Sequence, residues 1–327
     1  MKVYLARPRG FCAGVDRAID VVEIALDIFG PPVYVRHEIV HNDHVCNELR
    51  AKGAVFVEDV REIPEGCVTI FSAHGVSPVV REQAKERHLK VIDATCPLVT
   101  KVHLEAVRYA RRGYHIILIG HRNHVEVEGT MGEALGAITL VECPEDVGKL
   151  RFAPETKLIY LTQTTLSVDD TSEVIEALRQ RFPGMEKPPT EDICYATTNR
   201  QAAVKEMAKK CDIILVLGSP TSSNSNRLVE VAISNGCRSH LINDCSELDP
   251  SLLDGVDSVG ITAGASAPEV LVQDVVRWIE RFFVVEFADL DVVEEDVTFT
   301  LPKELVTVAK DSNVGSRLLS KHLAGKS

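Results

Sequence analysis

Several things are scarce in this sequence, and each shortage removes a class of protein. No apolar run approaches the about 20 residues that a membrane-spanning helix needs. No positively charged and then apolar leader opens the chain, which passes straight into a strand, so a cytoplasmic location is expected. Basic charge is not in excess. The formal net charge is −12, which argues against nucleic acid as the main partner. No two cysteines form a CxxC pair, so zinc-finger and ferredoxin-type ligand runs are absent.

What is present is a chain of 327 residues, 45% hydrophobic and 26% charged, enough for two or three ordinary cores. Nine cysteines stand at positions 12, 46, 67, 96, 143, 194, 211, 237 and 245. An odd number, in a chain with no secretory leader, favours metal ligation or catalysis over disulfides.

The stretch Pro8-Arg-Gly-Phe-Cys12-Ala-Gly14 joins a strand, Lys2–Ala6, to a helix over residues 16–29. Cys12 therefore stands at a helix N-terminus, where free N–H groups and the helix dipole favour the thiolate. Taken alone, such a cysteine reads as a small core residue. The arrangement recurs, however, at Cys96 and at Cys194. Each unit runs Cys, helix, strand, polar loop, helix, strand, strand, polar loop, helix. Alternation of this kind implies parallel sheets covered on both faces. The third unit lacks a closing strand, and Lys2–Ala6 resembles the closing strand Lys90–Ala94 of the first. The expected architecture is thus α/β, with three similar α/β domains and small parallel sheets in a ring, and Cys12, Cys96 and Cys194 near its axis. The expected segments are 14–96, 97–193, 194–283 with 1–13, and a C-terminal arm with a mobile basic tail over 284–327. The arm is acidic and β-prone to about Thr300, and no chemistry is assigned to it.

Three thiolates without short spacing suit a metal centre placed between domains. On a four-iron cluster they leave one iron without a protein ligand, free to take a substrate oxygen. The polar loops supply a second set: His41 and His74, then His124 and Thr164, then Ser222, Ser223, Asn224 and Ser266. All follow the carboxyl ends of predicted strands, where ligands collect in parallel α/β sheets. They are hydrogen-bond donors without a Lys or Arg, a set able to hold a phosphate or diphosphate with the help of helix N-termini. Glu126, in the loop expected over 120–129, could pass protons near iron, although taken alone it reads better as an acid at a helix start. The residues 222–227 read as a loop before a helix over 227–234.

These motifs resemble a known family. Pro8-Arg-Gly-Phe-Cys12-Ala-Gly-Val-Asp-Arg-Ala18, Val35-Arg-His-Glu38, Ser72-Ala-His-Gly-Val76, Asp93-Ala-Thr-Cys-Pro-Leu-Val-Thr-Lys101, Val125-Glu-Val-Glu-Gly-Thr130, Thr162-Gln-Thr-Thr-Leu-Ser167, Ile193-Cys-Tyr-Ala-Thr-Thr-Asn-Arg200, Ser222-Ser-Asn-Ser-Asn-Arg227 and Thr262-Ala-Gly-Ala-Ser-Ala-Pro268 are similar to the IspH (LytB) family of 4-hydroxy-3-methylbut-2-enyl diphosphate reductases. The resemblance covers residues 1 to about 283, and the C-terminal tail departs from it. It implies a three-lobed α/β trefoil and the last step of the non-mevalonate isoprenoid pathway. In that step, reductive removal of the C4 hydroxyl of an allylic diphosphate gives isopentenyl and dimethylallyl diphosphates. It further implies one 4Fe–4S cluster on Cys12, Cys96 and Cys194. The implied diphosphate pocket is His41, His74, His124, Ser222, Ser223, Asn224 and Ser266. Glu126 matches the proton donor, with Thr164 near the substrate hydroxyl, and electrons come from a ferredoxin- or flavodoxin-type carrier. Competing readings are a cluster-dependent hydro-lyase without net reduction, a zinc hydrolase on His41, His74 and His124, and a cluster-based sensor.

Overall fold

The computed structural model describes residues 1–311, and the basic tail expected from Lys310 lies, beyond Asp311, outside the described residues. In chain order the elements are β1 (Lys2–Arg7), α1 (Ala13–Phe29), β2 (Val33–Arg36), α2 (Asp43–Ala51), β3 (Ala54–Val57), β4 (Val68–Phe71), α3 (Pro78–Glu86), β5 (Lys90–Asp93), α4 (Pro97–Arg111), β6 (Tyr114–Ile119), α5 (Val125–Glu133) and β7 (Ile138–Val141). There follow α6 (Pro144–Val147), β8 (Lys157–Thr162), α7 (Val168–Arg181), α8 (Tyr195–Ala208), β9 (Ile213–Leu217), α9 (Ser223–Ser234), β10 (Arg238–Ile242), β11 (Ser258–Ala263), α10 (Glu269–Phe282), β12 (Glu286–Asp291) and α11 (Lys303–Asp311). The strands form three sheets, of five, four and three strands, the α/β architecture that the repeat implies. Among the described residues no helix is long and apolar enough to cross a membrane.

The chain packs as two compact units, Met1–Cys12 with Val141–Val297, and Ala13–Leu140 with the segment from Thr298. In the first unit the five-stranded sheet runs β10-β9-β11-β1-β12. The first strand of the chain is parallel to β11, with Lys2 opposite Ser258. It therefore fills the place left open in the third repeat. Side chains alternate across this sheet. Ile213, Leu215 and Leu217 of β9 pack with Val272, Val275 and Ile279 of α10. Ile214 and Val216 pack on the other face with Val204 and Met207 of α8 and Leu228 and Val231 of α9. Each such side chain contributes about 1.5–3 kcal/mol by leaving water, and burial on both faces explains the unbroken apolar run of β9.

The acidic arm contains a strand that periodicity does not reveal. β12 lies parallel along the outer side of β1, with Lys2 opposite Glu286. Leu290 is buried, and Asp289 pairs with Arg7 of β1 at 2.7 Å. Charges of this kind suit an edge strand, which must not recruit another chain.

In the second unit the four-stranded sheet runs β3-β2-β4-β5, all parallel. Pro78 and Pro97 stand at the first turns of α3 and α4, where a missing N–H costs nothing and φ is already helical.

Candidate active site

In the second unit the imidazoles come together at the carboxyl ends of β2, β4 and β6. His41 and His74 stack with ring centroids 4.0 Å apart. His124 lies edge-on to them, 5.6 Å from His41 and 6.5 Å from His74. The loops that carry these rings are bonded through their backbones. The Ala73 amide donates to the Ile39 carbonyl at 3.1 Å.

Residues 125–129, the second half of the loop expected over 120–129, instead form the start of α5. His124 is the N-cap of α5, its Nδ1 accepting from the Glu126 amide at 3.2 Å. The error has a physical reason. The first turn of α5 carries Glu126, Glu128 and Gly129, with no strong apolar stripe, and acids there are held by the helix dipole. Glu126 is buried in that first turn. Because Nδ1 of His124 accepts, Nε2 carries the proton. That Nε2–H is buried with no protein partner, the condition of a donor reserved for a ligand.

Burial sets the charge of these rings. It pushes His124 down to about 3, helped by His41 and His121. It holds His74 well below the ordinary histidine value, with His41 and His124 adding to the effect. Both are therefore neutral donors at pH 7. His41 differs: its Nδ1 lies 3.0 Å from Glu38, and that hydrogen bond is the main cause lowering the Glu38 pKa.

A fourth imidazole joins the cluster without having been picked out from the sequence. His37 lies edge-on to His41 at 5.6 Å and to His74 at 5.9 Å. Its Nδ1 is 2.8 Å from Glu58. Its backbone sits at φ 61, a left-handed conformation that a non-glycine residue holds only when its surroundings impose it. The motif Val35-Arg-His-Glu38 was the available signal, but nothing in it announces the positive φ.

In the first unit the donors are hydroxyls and an amide. Ser222 is the N-cap of α9, accepting from the Ser225 amide at 3.3 Å, so Ser222–Asn224 form a helix start rather than the expected loop. Asn224 is buried and both polar atoms of its amide lack a protein partner. Ser223 Oγ donates to the Thr165 carbonyl at 3.3 Å and accepts from Gln163 at the same distance. Ser266 is buried in the turn after β11. Two glycines make the arrangement possible. A Cβ on Gly218 or Gly264 would come within 2.1 or 2.0 Å of the Ser225 hydroxyl, so β9 and β11 can approach the start of α9 only as bare backbone.

The three cysteines share one backbone feature. The Cys12 amide donates to the Ala265 carbonyl at 3.3 Å, the Cys96 amide to Ala73 at 2.9 Å and the Cys194 amide to Thr164 at 3.0 Å. Each cysteine loop is thus tied to a loop that carries a predicted substrate donor: Ser266, His74 and Thr164. Cys96 and Cys194 are the N-caps of α4 and α8, and Cys12 directly precedes α1. The Thr197 amide donates to Cys194 Sγ at 3.4 Å. None of the three is in a disulfide, and all are partly exposed.

Three other cysteines, Cys46, Cys211 and Cys237, are buried. Burial pushes Cys46 up to about 11 and Cys211 up to about 12, and raises Cys237 as well. The donor set at the helix starts therefore fits an iron–sulfur cluster, whose ligands must be thiolates.

Known proteins place this geometry. A profile of the LytB protein family matches residues 3–280. The 4-hydroxy-3-methylbut-2-enyl diphosphate reductase of Actinobacillus succinogenes is 56% identical over 308 residues, which is 93% of this chain and 98% of that one. The solved structure of the E-1-hydroxy-2-methyl-but-2-enyl-4-diphosphate reductase from Plasmodium falciparum superposes with a TM-score of 0.93 at 45% identity, covering 95% of this chain and 98% of that one. A second solved structure, described as (E)-4-hydroxy-3-methyl-but-2-enyl diphosphate reductase, the terminal enzyme of the non-mevalonate pathway, has a TM-score of 0.62 at 33% identity and covers 86% of this chain and 100% of that one. With helix-start thiols on loops bonded to loops that carry imidazole and hydroxyl side chains, and with matches of this length, the chain belongs to the LytB family.

Proposed function

We propose that this protein is a 4-hydroxy-3-methylbut-2-enyl diphosphate reductase, with Cys12, Cys96 and Cys194 holding one 4Fe–4S cluster. The three-segment division, 14–96, 97–193 and 194–283 with 1–13, belongs to the same reading, as does a cytoplasmic location. The observation that carries it is the backbone bond from each of these cysteines to a donor loop. The reaction takes up two electrons and two protons, breaks the C4–O bond and releases water, giving isopentenyl or dimethylallyl diphosphate. When bound, the cluster supplies the electrons, which a ferredoxin- or flavodoxin-type carrier delivers.

The chain's own residues do the rest. His41, His74 and His124 present imidazole donors to the diphosphate, and Ser222, Ser223, Asn224 and Ser266 present hydroxyls and an amide. Burial keeps His74 and His124 neutral, so these two can donate to an anion without first forming ion pairs that would have to be broken. Holding the diphosphate fixes the carbon chain, so that the hydroxyl end is positioned rather than free. Glu126 gives the proton with which the hydroxyl leaves as water, and Thr164 orients that hydroxyl.

The test is anaerobic turnover of the diphosphate by reconstituted protein with a chemical reductant, read by product analysis. Formation of both isopentenyl and dimethylallyl products, dependent on reductant, is expected. Loss of water without a reductant would replace the reading with a hydro-lyase, and no conversion by cluster-loaded protein would reject it.

A further inference from the structure

Two arginines in the interior of the protein remain unexplained by the substrate site. Arg200, in α8 shortly after Cys194, is 0% exposed. Its guanidinium donates to the Gly10 carbonyl at 2.7 Å and to the Phe11 carbonyl at 3.3 Å, the two residues before Cys12. It also donates to the Ala196 carbonyl of its own helix at 3.0 Å. Its counter-charge comes from the C-terminal arm, where Glu295 accepts at 3.0 Å and is also held by Asn199 at 3.0 Å.

Arg17, in α1 shortly after Cys12, repeats the pattern in the other unit. It is 7% exposed. It donates to the Ala94 and Thr95 carbonyls at 3.1 and 3.0 Å, the two residues before Cys96. Its Nε donates to the Thr300 carbonyl of the arm at 2.7 Å. Burial lowers the Arg17 pKa, while negative charge on Cys96, Asp93 and Glu304 works in the opposite sense. The matching place after Cys96 holds another cation, Lys101.

We propose that Arg17 and Arg200 are positioning residues for the cluster ligands, each pinning the backbone that leads into a cysteine, and that the arm from Glu295 to Glu304 completes both pins. The proposal rests on the cluster reading above. A buried guanidinium persists only when its donors and charge are met. Here six carbonyls and one carboxylate meet them. Removing either arginine frees two carbonyls beside a ligand cysteine, so the loop gains conformations in which the sulfur points elsewhere. The arm, to which no chemistry could be assigned from sequence, thereby becomes part of the scaffold that retains the cluster.

The experiment compares reconstituted wild type, Arg200→Met, Arg17→Met, Glu295→Gln, Arg200→Lys and the core control Val272→Ala. The readout is the anaerobic rate at which an iron chelator bleaches the cluster, with electron paramagnetic resonance of the reduced cluster and the thermal midpoint of the cluster-free protein measured alongside. Loss of groups that orient metal ligands weakens metal sites about ten- to a hundred-fold, and the two Arg→Met variants should bleach faster by a factor in that range. Their resonance spectra should broaden. Arg200→Lys should recover part of the wild-type rate, and Glu295→Gln, which keeps the arginine, should lie between. Val272→Ala should lower the thermal midpoint yet bleach as slowly as wild type. Equal bleaching in wild type and both Arg→Met variants overturns the proposal alone. Equally fast bleaching in Val272→Ala overturns it too, since general destabilisation would then suffice. If wild type takes up no cluster, both this proposal and the cluster reading fall.

Discussion

The two units carry their proposed substrate donors with different chemistry. In the second unit they are imidazoles, of which burial keeps His74 and His124 neutral. In the first they are serine hydroxyls and an asparagine amide at the start of α9, groups that carry no proton equilibrium near pH 7. One half can therefore respond to pH, and the other cannot. On the proposed reading, a polyanion is held by helix starts and uncharged donors rather than by Lys and Arg.

The sharpest break of the comparison is chemical. Glu126→Gln keeps the shape of the α5 start and removes the acid, so turnover should fall about 10²–10⁴-fold while the cluster absorbance stays. Steady-state turnover at fixed cluster content checks this, and near-wild-type rates would end the assignment. Next comes the amide. Asn224→Ala removes donors with no other protein partner, and a hydrogen bond to a charged group is worth about 1.5–3 kcal/mol. Affinity for inorganic diphosphate, measured calorimetrically, should fall accordingly, by the same factor at pH 6 and pH 8.

The imidazole half should behave otherwise. His124 and His74 have folded pKa values below the ordinary 6.5. As pH falls below 6.5, the unfolded chain takes up protons that the folded one refuses, so stability is lost. For His124 the window runs from 6.5 to about 3. Each ring adds a slope of about 1.4 kcal/mol per pH unit inside its window. Urea unfolding of the substrate-free protein between pH 7 and pH 5 reads that slope. His124→Asn should remove its share of it, because asparagine caps the helix but does not titrate. An unchanged slope would mean that His124 is not the group responsible. Smallest is Ser222→Ala, which removes the α9 cap. It should cost about 1 kcal/mol of stability, seen as a shift in urea midpoint with no change in the pH slope.

Much of this was legible in the sequence, for reasons that also mark the limit. Short apolar runs ending in Ser72-Ala-His74 or Thr262-Ala-Gly264 announce buried parallel strands with polar carboxyl ends, and the structure places them so. Cys12, Cys96 and Cys194 were readable because the helix starts recur. The helical nature of 124–128 and 223–226 was not readable, since a capped, polar first turn has little apolar periodicity. His37 needed its backbone conformation to be seen. Arg17 and Arg200 look like any helix arginine, because burial is a property of what packs around a residue. The β-prone character of the arm was readable, but the pairing of β12 was not, because its partner is β1, at the opposite end of the chain.

That last pairing has a consequence for how the protein is made. β1 leaves the ribosome first, yet its neighbours β11 and β12 are among the last strands to be synthesised. The loop that carries Cys12 has no sheet to anchor it until nearly the whole polypeptide has emerged. Contacts of such long sequence separation form late and slowly, so the loop that carries Cys12 is among the last parts of this sheet to be fixed in place.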